Sequence, residues 1–163
     1  DVARSMNSKV YYSKVGEANV VQMMRSRKGI IGGEGNGGVI YPGFHAGRDC
    51  LVAAGLTLSL LAEKKMSLSE LVETFPKYYN IKTKARLNDV KAFEKKLKHF
   101  EKEASKLFGK CKIDRRDGLR FDFQQGWLQL RKSNTEPIFR LIVETKSSKL
   151  SKYLVDNVIR YFK

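Results

Sequence analysis

The chain reads as two domains of mixed class, an α/β segment of βαβ-like order followed by an α+β domain in which two helices pack an antiparallel sheet. Three observations carry this reading. The texture changes to lysine-rich near Lys77, apolar residues recur at three- and four-residue steps between 90 and 107, and short alternating segments parted by turn signals fill 110–142. A length of 163 residues suffices for one domain or two small ones. Hydrophobic residues at 42% and charged residues at 30% are ordinary for a globular chain and exclude a disordered or fibrous class.

In chain order, Lys9-Val10-Tyr11-Tyr12 is strand-like. The stretch Gly16 to Arg27 carries Val20, Val21, Met23 and Met24 as a helix, and Gly29-Ile30-Ile31 predicts a short buried strand that runs into a glycine-rich loop. Asp49 can cap a helix reaching about Lys64. Ser67 with Glu70 has the capping-box pattern for another helix that must stop before Pro76. The apolar run Cys50 to Ala62 is interrupted by Gly55, Thr57 and Ser59 and falls short of the roughly 20 residues a membrane span needs, so a buried helix is expected.

The domain boundary is placed at 76/77. Beyond it, Ile81, Thr83 and Ala85 alternate with Lys82, Lys84 and Arg86 as in a half-exposed strand. Val90, Phe93, Leu97, Phe100, Ala104 and Leu107 mark one face of a long amphipathic helix. Asp117-Gly118 and Gln125-Gly126 are turn signals between short strands. Leu150, Tyr153, Leu154, Asn157, Val158 and Tyr161 form the inner face of a closing helix.

Cys50 and Cys111 have no CxxC pairing and no histidine at ligand spacing, so two buried thiols are expected and neither a zinc site nor a disulfide framework. No basic segment followed by an apolar core and a small-residue cleavage site opens the chain, which points to a cytoplasmic location without a membrane partner.

The formal charge of +15 is unevenly placed: residues 1–76 carry 9 basic and 7 acidic side chains, residues 77–163 carry 23 and 10. Such asymmetry suits a nucleic-acid surface, a phosphorylated substrate or a solvated exterior. Nucleic acid is the disfavoured partner, because acidic residues interleave with the lysines of 90–108 and Phe93, Phe100 and Phe108 fall among apolar positions.

Two loops are candidates for chemistry, although by composition alone the first also reads as a plain flexible loop and the second as a β-turn with surface arginines. In Gly32-Gly33-Glu34-Gly35-Asn36-Gly37-Gly38, five glycines let the backbone approach a ligand, and Glu34 and Asn36 supply a carboxylate and an amide suited to neighbouring sugar hydroxyls. The pattern is neither a dinucleotide fingerprint nor a Walker loop. In Arg131-Lys132-Ser133-Asn134-Thr135-Glu136-Pro137-Ile138-Phe139-Arg140, a turn sits between two arginines. Arginine forks bind phosphate oxygens in pairs, Ser133 and Thr135 add hydroxyls, and Asn134 tolerates the left-handed backbone that aims amides inward. Lys132, one residue along a strand from Arg131, should face the other way.

These two loops resemble the sugar-binding and phosphate-binding loops of the α-D-phosphohexomutases. Ser13-Lys14-Val15-Gly16 is similar to the turn upstream of the family's sugar loop, and His45-Ala46-Gly47-Arg48-Asp49 to the segment that follows it. The resemblance implies that residues 1–76 are the C-terminal part of the third domain and 77–163 the complete fourth.

It also implies a four-domain parent enzyme that interconverts hexose 1-phosphates and 6-phosphates through a hexose 1,6-bisphosphate intermediate. By resemblance, Glu34 and Asn36 bind sugar, while Arg131, Ser133, Asn134, Thr135 and Arg140 bind phosphate. The catalytic phosphoserine and the Mg²⁺ ligands belong to N-terminal domains that this stretch does not contain, so no catalytic or metal residue is expected here. Many relatives have Glu-x-Ser-Gly-His in the sugar loop; this chain has Asn36 at the serine position and Gly38 at the histidine position. The Asn-Gly-Gly form leans toward the phosphoglucosamine and phosphomannomutase-like branches. A sugar-phosphate sensor without catalysis is a further reading.

Overall fold

The computed structural model describes residues 1–133 and 135–162, the side chain at 105 apart. It forms two compact units, Asp1–Pro76 and Lys77–Lys163. Among the described residues no helix is long and apolar enough to cross a membrane.

The first unit contains helices α1 (Val2–Ser5), α2 (Glu17–Arg27), α3 (Cys50–Lys64) and α4 (Leu68–Glu73). Between α2 and α3, two-residue strands β1 (Gly32–Gly33) and β2 (Val39–Ile40) pair antiparallel. Its small core joins Val20 and Met24 of α2 to Ile40, with Val21 against them. The helix starts follow local chemistry. Asp49 accepts the Val52 N–H at 2.9 Å, and Ser67 and Glu70 close the capping box from both sides, at 3.3 and 2.7 Å.

Three expectations for this unit are corrected. Residues 9–12 take no regular structure, because a strand exists only beside a partner and none of the described strands pairs with this stretch. Ile30 and Ile31 are exposed rather than buried, and the strand begins after them at Gly32. α3 buries no residue, and Leu51 is 79% exposed. The helix is largely apolar, but burial depends on a covering layer, and within the described part of this unit only Val52, Ala53, Leu60 and Leu61 are even half-buried. Cys50 is accordingly an exposed thiol. Cys111 is half-buried, and burial pushes its thiol pKa up.

The second unit is a five-stranded antiparallel sheet in the order β3 (Tyr79–Arg86), β7 (Ile138–Thr145), β6 (Gly126–Lys132), β5 (Leu119–Phe123), β4 (Lys112–Asp114). Helices α5 (Val90–Phe108) and α6 (Ser148–Phe162) cover one face. Strand alternation puts Leu119, Phe121, Leu128, Leu130, Phe139, Leu141 and Val143 under the helices, all buried. Phe100 lies at the centre, 2% exposed, with its ring centroid 5.6 Å from that of Phe121 and 5.5 Å from that of Phe162.

The helix faces are shifted slightly from the periodic reading. Val90 and Leu107 are exposed, and Phe108 packs on the core instead. Steps of four, three, four and four lead from Phe93 through Leu97, Phe100 and Ala104 to Phe108, and Leu107 falls about 100° round the helix from there. In α6, Tyr153 is exposed and Phe162 is buried.

Replacing Phe100 by alanine removes a ring enclosed by other rings and should cost about 3–5 kcal/mol, whereas Leu51→Ala on exposed α3 should change stability by less than about 0.5 kcal/mol. Urea titrations followed by circular dichroism compare the two; equal losses would contradict this assignment of the core.

Candidate functional site

The glycine-rich loop is the tip of the β1–β2 hairpin. Glu34 N–H donates to the Gly38 carbonyl at 3.0 Å and Gly37 N–H to the Glu34 carbonyl at 3.1 Å. Gly37 has a φ of +93°, and a Cβ on Gly33 would lie 2.5 Å from the Gly38 carbonyl oxygen, so this closure requires glycine at both positions. Asn36 folds back so that its Oδ1 accepts the Gly38 N–H at 3.2 Å.

The Glu34 carboxylate points inward. Its Oε1 accepts the Gly16 N–H at 2.8 Å, and its Oε2 lies 3.7 Å from Arg48 Nη1. Each oxygen keeps a lone pair for another donor. Arg48 is gripped from its other side by Glu17: its Nε donates to Oε2 at 2.7 Å and its backbone N–H to Oε1 at 3.1 Å. Arg48 side-chain hydrogen bonding, with the backbone bond and charge attraction added, holds the Glu17 carboxyl below the usual range and pushes the guanidinium pKa up. The stem of Arg48 lies over Gly38, where an added Cβ would collide with its Cδ. Arg48 and Glu17 were not singled out from the sequence, although Arg48 stands within the His45 to Asp49 segment. Their partnership spans 31 residues and leaves no local signal.

The second loop joins β6 to β7. The last ladder bonds of the hairpin run through Ser133 N–H to the Ile138 carbonyl at 2.9 Å. The Ser133 hydroxyl accepts long bonds from the Thr135 and Glu136 N–H groups, 3.4 and 3.3 Å, and lies 3.4 Å from Thr135 Oγ1. Those two amides thus converge on one oxygen, as in the small concavities that receive anions. Asn134 lies outside the described residues.

Arg131 and Arg140 are directly opposite one another across β6 and β7, on the sheet face away from the helices. Arg131 Nη1 lies 3.3 Å from Asp117 Oδ2, and Arg140 Nη2 3.4 Å from Glu136 Oε2. Lys132 faces the helix side and reaches Glu94 of α5 at 3.3 Å. The sequence-predicted phosphate residues that are described therefore cluster at one end of the sheet. Glu34 and Asn36 share a hairpin in the other unit.

Among the described residues no three His, Cys, Asp or Glu side chains converge on a possible ion. They offer no oxygen cage for a divalent cation of the kind the resemblance implies.

Comparison with known proteins gives the family. The pattern described as "Phosphoglucomutase/phosphomannomutase, alpha/beta/alpha domain III" matches residues 1–79, and that described as "Phosphoglucomutase/phosphomannomutase, C-terminal domain" matches 79–160. A crystal structure of a phosphoglucomutase/phosphomannomutase family protein from Burkholderia thailandensis superimposes with a TM-score of 0.74 at 25% identity, over 98% of this chain and 33% of that one. The chain belongs to the phosphoglucomutase/phosphomannomutase family and corresponds to its C-terminal part.

Among individual relatives, it is 38% identical over 156 residues to a phosphoglucomutase/phosphomannomutase of Thermococcus kodakarensis, covering 94% of this chain and 33% of that protein. It is 32% identical to a phosphoglucosamine/phosphogalactosamine mutase of Sulfurisphaera tokodaii, covering 93% and 33%. The chain thus spans about a third of the length of these relatives.

The Glu17–Arg48 contact predicts that Glu17 titrates below an ordinary glutamate and that Arg48→Gln, which removes both the hydrogen bond and the charge, moves its pKa upward. A carbon-detected NMR titration of the side-chain carboxyls reads this directly. An unchanged Glu17 midpoint in the variant would show that the contact is not formed in solution.

Proposed function

We infer that these residues serve a phosphohexomutase of the relatives' length, which interconverts hexose or hexosamine 1-phosphates and 6-phosphates through a 1,6-bisphosphate. On this reading the chain recognises sugar hydroxyls through Glu34 and Asn36 and anchors the distal phosphate with Arg131, Ser133, Asn134, Thr135 and Arg140. The observation that carries it is the cross-strand pair Arg131–Arg140 at the mouth of a turn whose amides already converge on one oxygen. Two opposed guanidiniums and a set of inward donors form a charge cup rather than a shape-specific pocket. A cup of that kind accepts a phosphate from either end of the sugar, as a mutase requires. Phosphoryl transfer depends mainly on positioning and electrostatic stabilisation, so the anchor contributes orientation and affinity.

The Mg²⁺ and the phosphoserine of the reaction belong, on this reading, to segments outside these 163 residues. The nucleic-acid alternative loses support because Phe93 and Phe100 of α5 are buried in the core and offer no base a stacking surface.

Two measurements test the proposal. In a coupled assay with hexose 1-phosphates and a bisphosphate activator, the chain by itself should give no turnover; turnover above background would place the reactive groups within these residues. In the full-length enzyme, Arg131→Ala should lower kcat/KM by about 10- to 150-fold, the worth of a charge-assisted contact, with much of the loss in KM. Lys132→Ala, which removes the same charge from the opposite face, should leave kcat/KM nearly unchanged. Equal impairment of two folded variants would refute the anchor.

A further inference from the structure

The cationic line on the open face of the sheet extends one strand beyond the turn. Lys84 of β3 is directly opposite Arg140 of β7, and Arg140 is directly opposite Arg131 of β6. Three cations therefore stand in one row across three adjacent strands, neighbours separated by roughly 5 Å at Cβ. Like charges so placed destabilise a sheet. Packing does not require them, since Lys84 and Arg140 are exposed and the core lies on the other face of the same strands.

Neighbouring carboxylates offset two of the three, and only loosely. The Arg131–Asp117 and Arg140–Glu136 separations are 3.3 and 3.4 Å, against roughly 2.7–2.9 Å for a strong charge-assisted bond. Lys84 has no acidic partner among the described residues. The uncompensated charge of the row is therefore Lys84, one strand away from the turn.

We propose that Lys84 is a third cation of the phosphate site, completing with Arg131 and Arg140 a cross-strand cradle for the dianion of a phosphate monoester. This rests on the reading of the Arg131–Arg140 turn as the distal phosphate anchor. A phosphate monoester carries a charge of about −1.5 to −2 at neutral pH. The two arginines meet part of that charge, being loosely shared with Asp117 and Glu136. Lys84 supplies the excess. Its ammonium is a compact point charge on a flexible four-carbon stem, able to swing toward an anion between the strands without disturbing the ladder. Its contribution therefore depends on ligand charge more than on ligand shape, and it favours a dianion over a monoanion of the same size.

The test uses the 163-residue chain, glucose 6-phosphate as dianionic probe and glucose 6-sulfate as its monoanionic counterpart, with affinities from NMR titration of the backbone amides around the turn. Lys84→Gln should weaken phosphate binding by about threefold to tenfold, narrow the preference for phosphate over sulfate, and flatten the dependence of affinity on salt. Lys84→Arg should restore most of the loss. Arg131→Ala is the control for the underlying reading. If Arg131→Ala loses binding while Lys84→Gln keeps both the affinity and the phosphate-over-sulfate preference of the unaltered chain, the anchor stands and the role of Lys84 is overturned. If neither variant differs from the unaltered chain, both the anchor and the cradle are wrong.

Discussion

The register between β7 and its two neighbours is the constraint on which the second unit depends. It runs from Tyr79 opposite Thr145 to Arg86 opposite Ile138 on one side, and from Gly126 opposite Thr145 to Lys132 opposite Phe139 on the other. A slip of one residue would turn Leu130 and Leu141 to water and drive Arg131 and Arg140 under the helices. Both ends of β7 are fastened. At its C-terminal end the Thr145 and Ser151 hydroxyls lie 2.9 Å apart with no exposure to solvent, and Ser151 donates to the Tyr79 carbonyl at 2.7 Å, tying α6 to the ends of β3 and β7. At its other end Leu87 N–H donates to the Pro137 carbonyl at 2.8 Å. Gly126, with a φ of +158°, sits where a Cβ would collide with the Glu144 carbonyl, and Gly118 where one would collide with that of Leu130. The ladder closes only because these positions are bare.

The same geometry separates charge that is solvated from charge that is placed. Much of the basic charge after Lys77 is solvated or paired at the surface: α5 carries six lysines against three glutamates, and Arg116 pairs with Asp114, which brings the Asp114 carboxyl down to about 2. Exposed pairs of this kind contribute little to stability. The Arg131–Arg140 pair differs because its cations are fixed on neighbouring strands of a rigid sheet, facing the same way, beside a turn with inward amides. Arg120 shows the alternative fate of a cation on this face: it stacks over Trp127 at 4.0 Å from the ring centroid and bonds Asp122 at 2.7 Å, so its charge is already satisfied. Position relative to the register, not the total charge, marks the candidate anchor.

Features set by local chemistry were legible in the sequence. Asp49, Ser67 with Glu70, and the turns at Asp117-Gly118 and Gln125-Gly126 act within a few residues of themselves, and a helix with the strong periodicity of α5 states its own buried face. Features set by distant partners were not. Residues 9–12 have strand-like composition, but a strand is a relation between two segments, and α3 is apolar enough to be buried although the described residues bury none of it. In the candidate sites, the functional groups of each loop could be read from composition, whereas the Glu17–Arg48 grip and the alignment of Lys84 with Arg140 arise from pairings 31 and 56 residues apart. Only the folded chain brings those residues together.

The departure at Gly38 has a steric logic that involves Arg48. A side chain at position 38 and the Arg48 stem compete for one space, and the stem swings aside only by giving up its Nε bond to Glu17, since the second bond to Glu17 comes from the Arg48 backbone. With glycine, the guanidinium lies 3.7 Å from Glu34 Oε2 and offsets the cost of keeping that carboxylate largely enclosed, at 15% side-chain exposure. Glu34 is thereby held by a backbone N–H on one oxygen and approached by a cation on the other. The Asn-Gly-Gly loop, the arginine ten residues downstream and the glutamate that grips it thus act as one unit, and substituting any one of them changes the setting of Glu34.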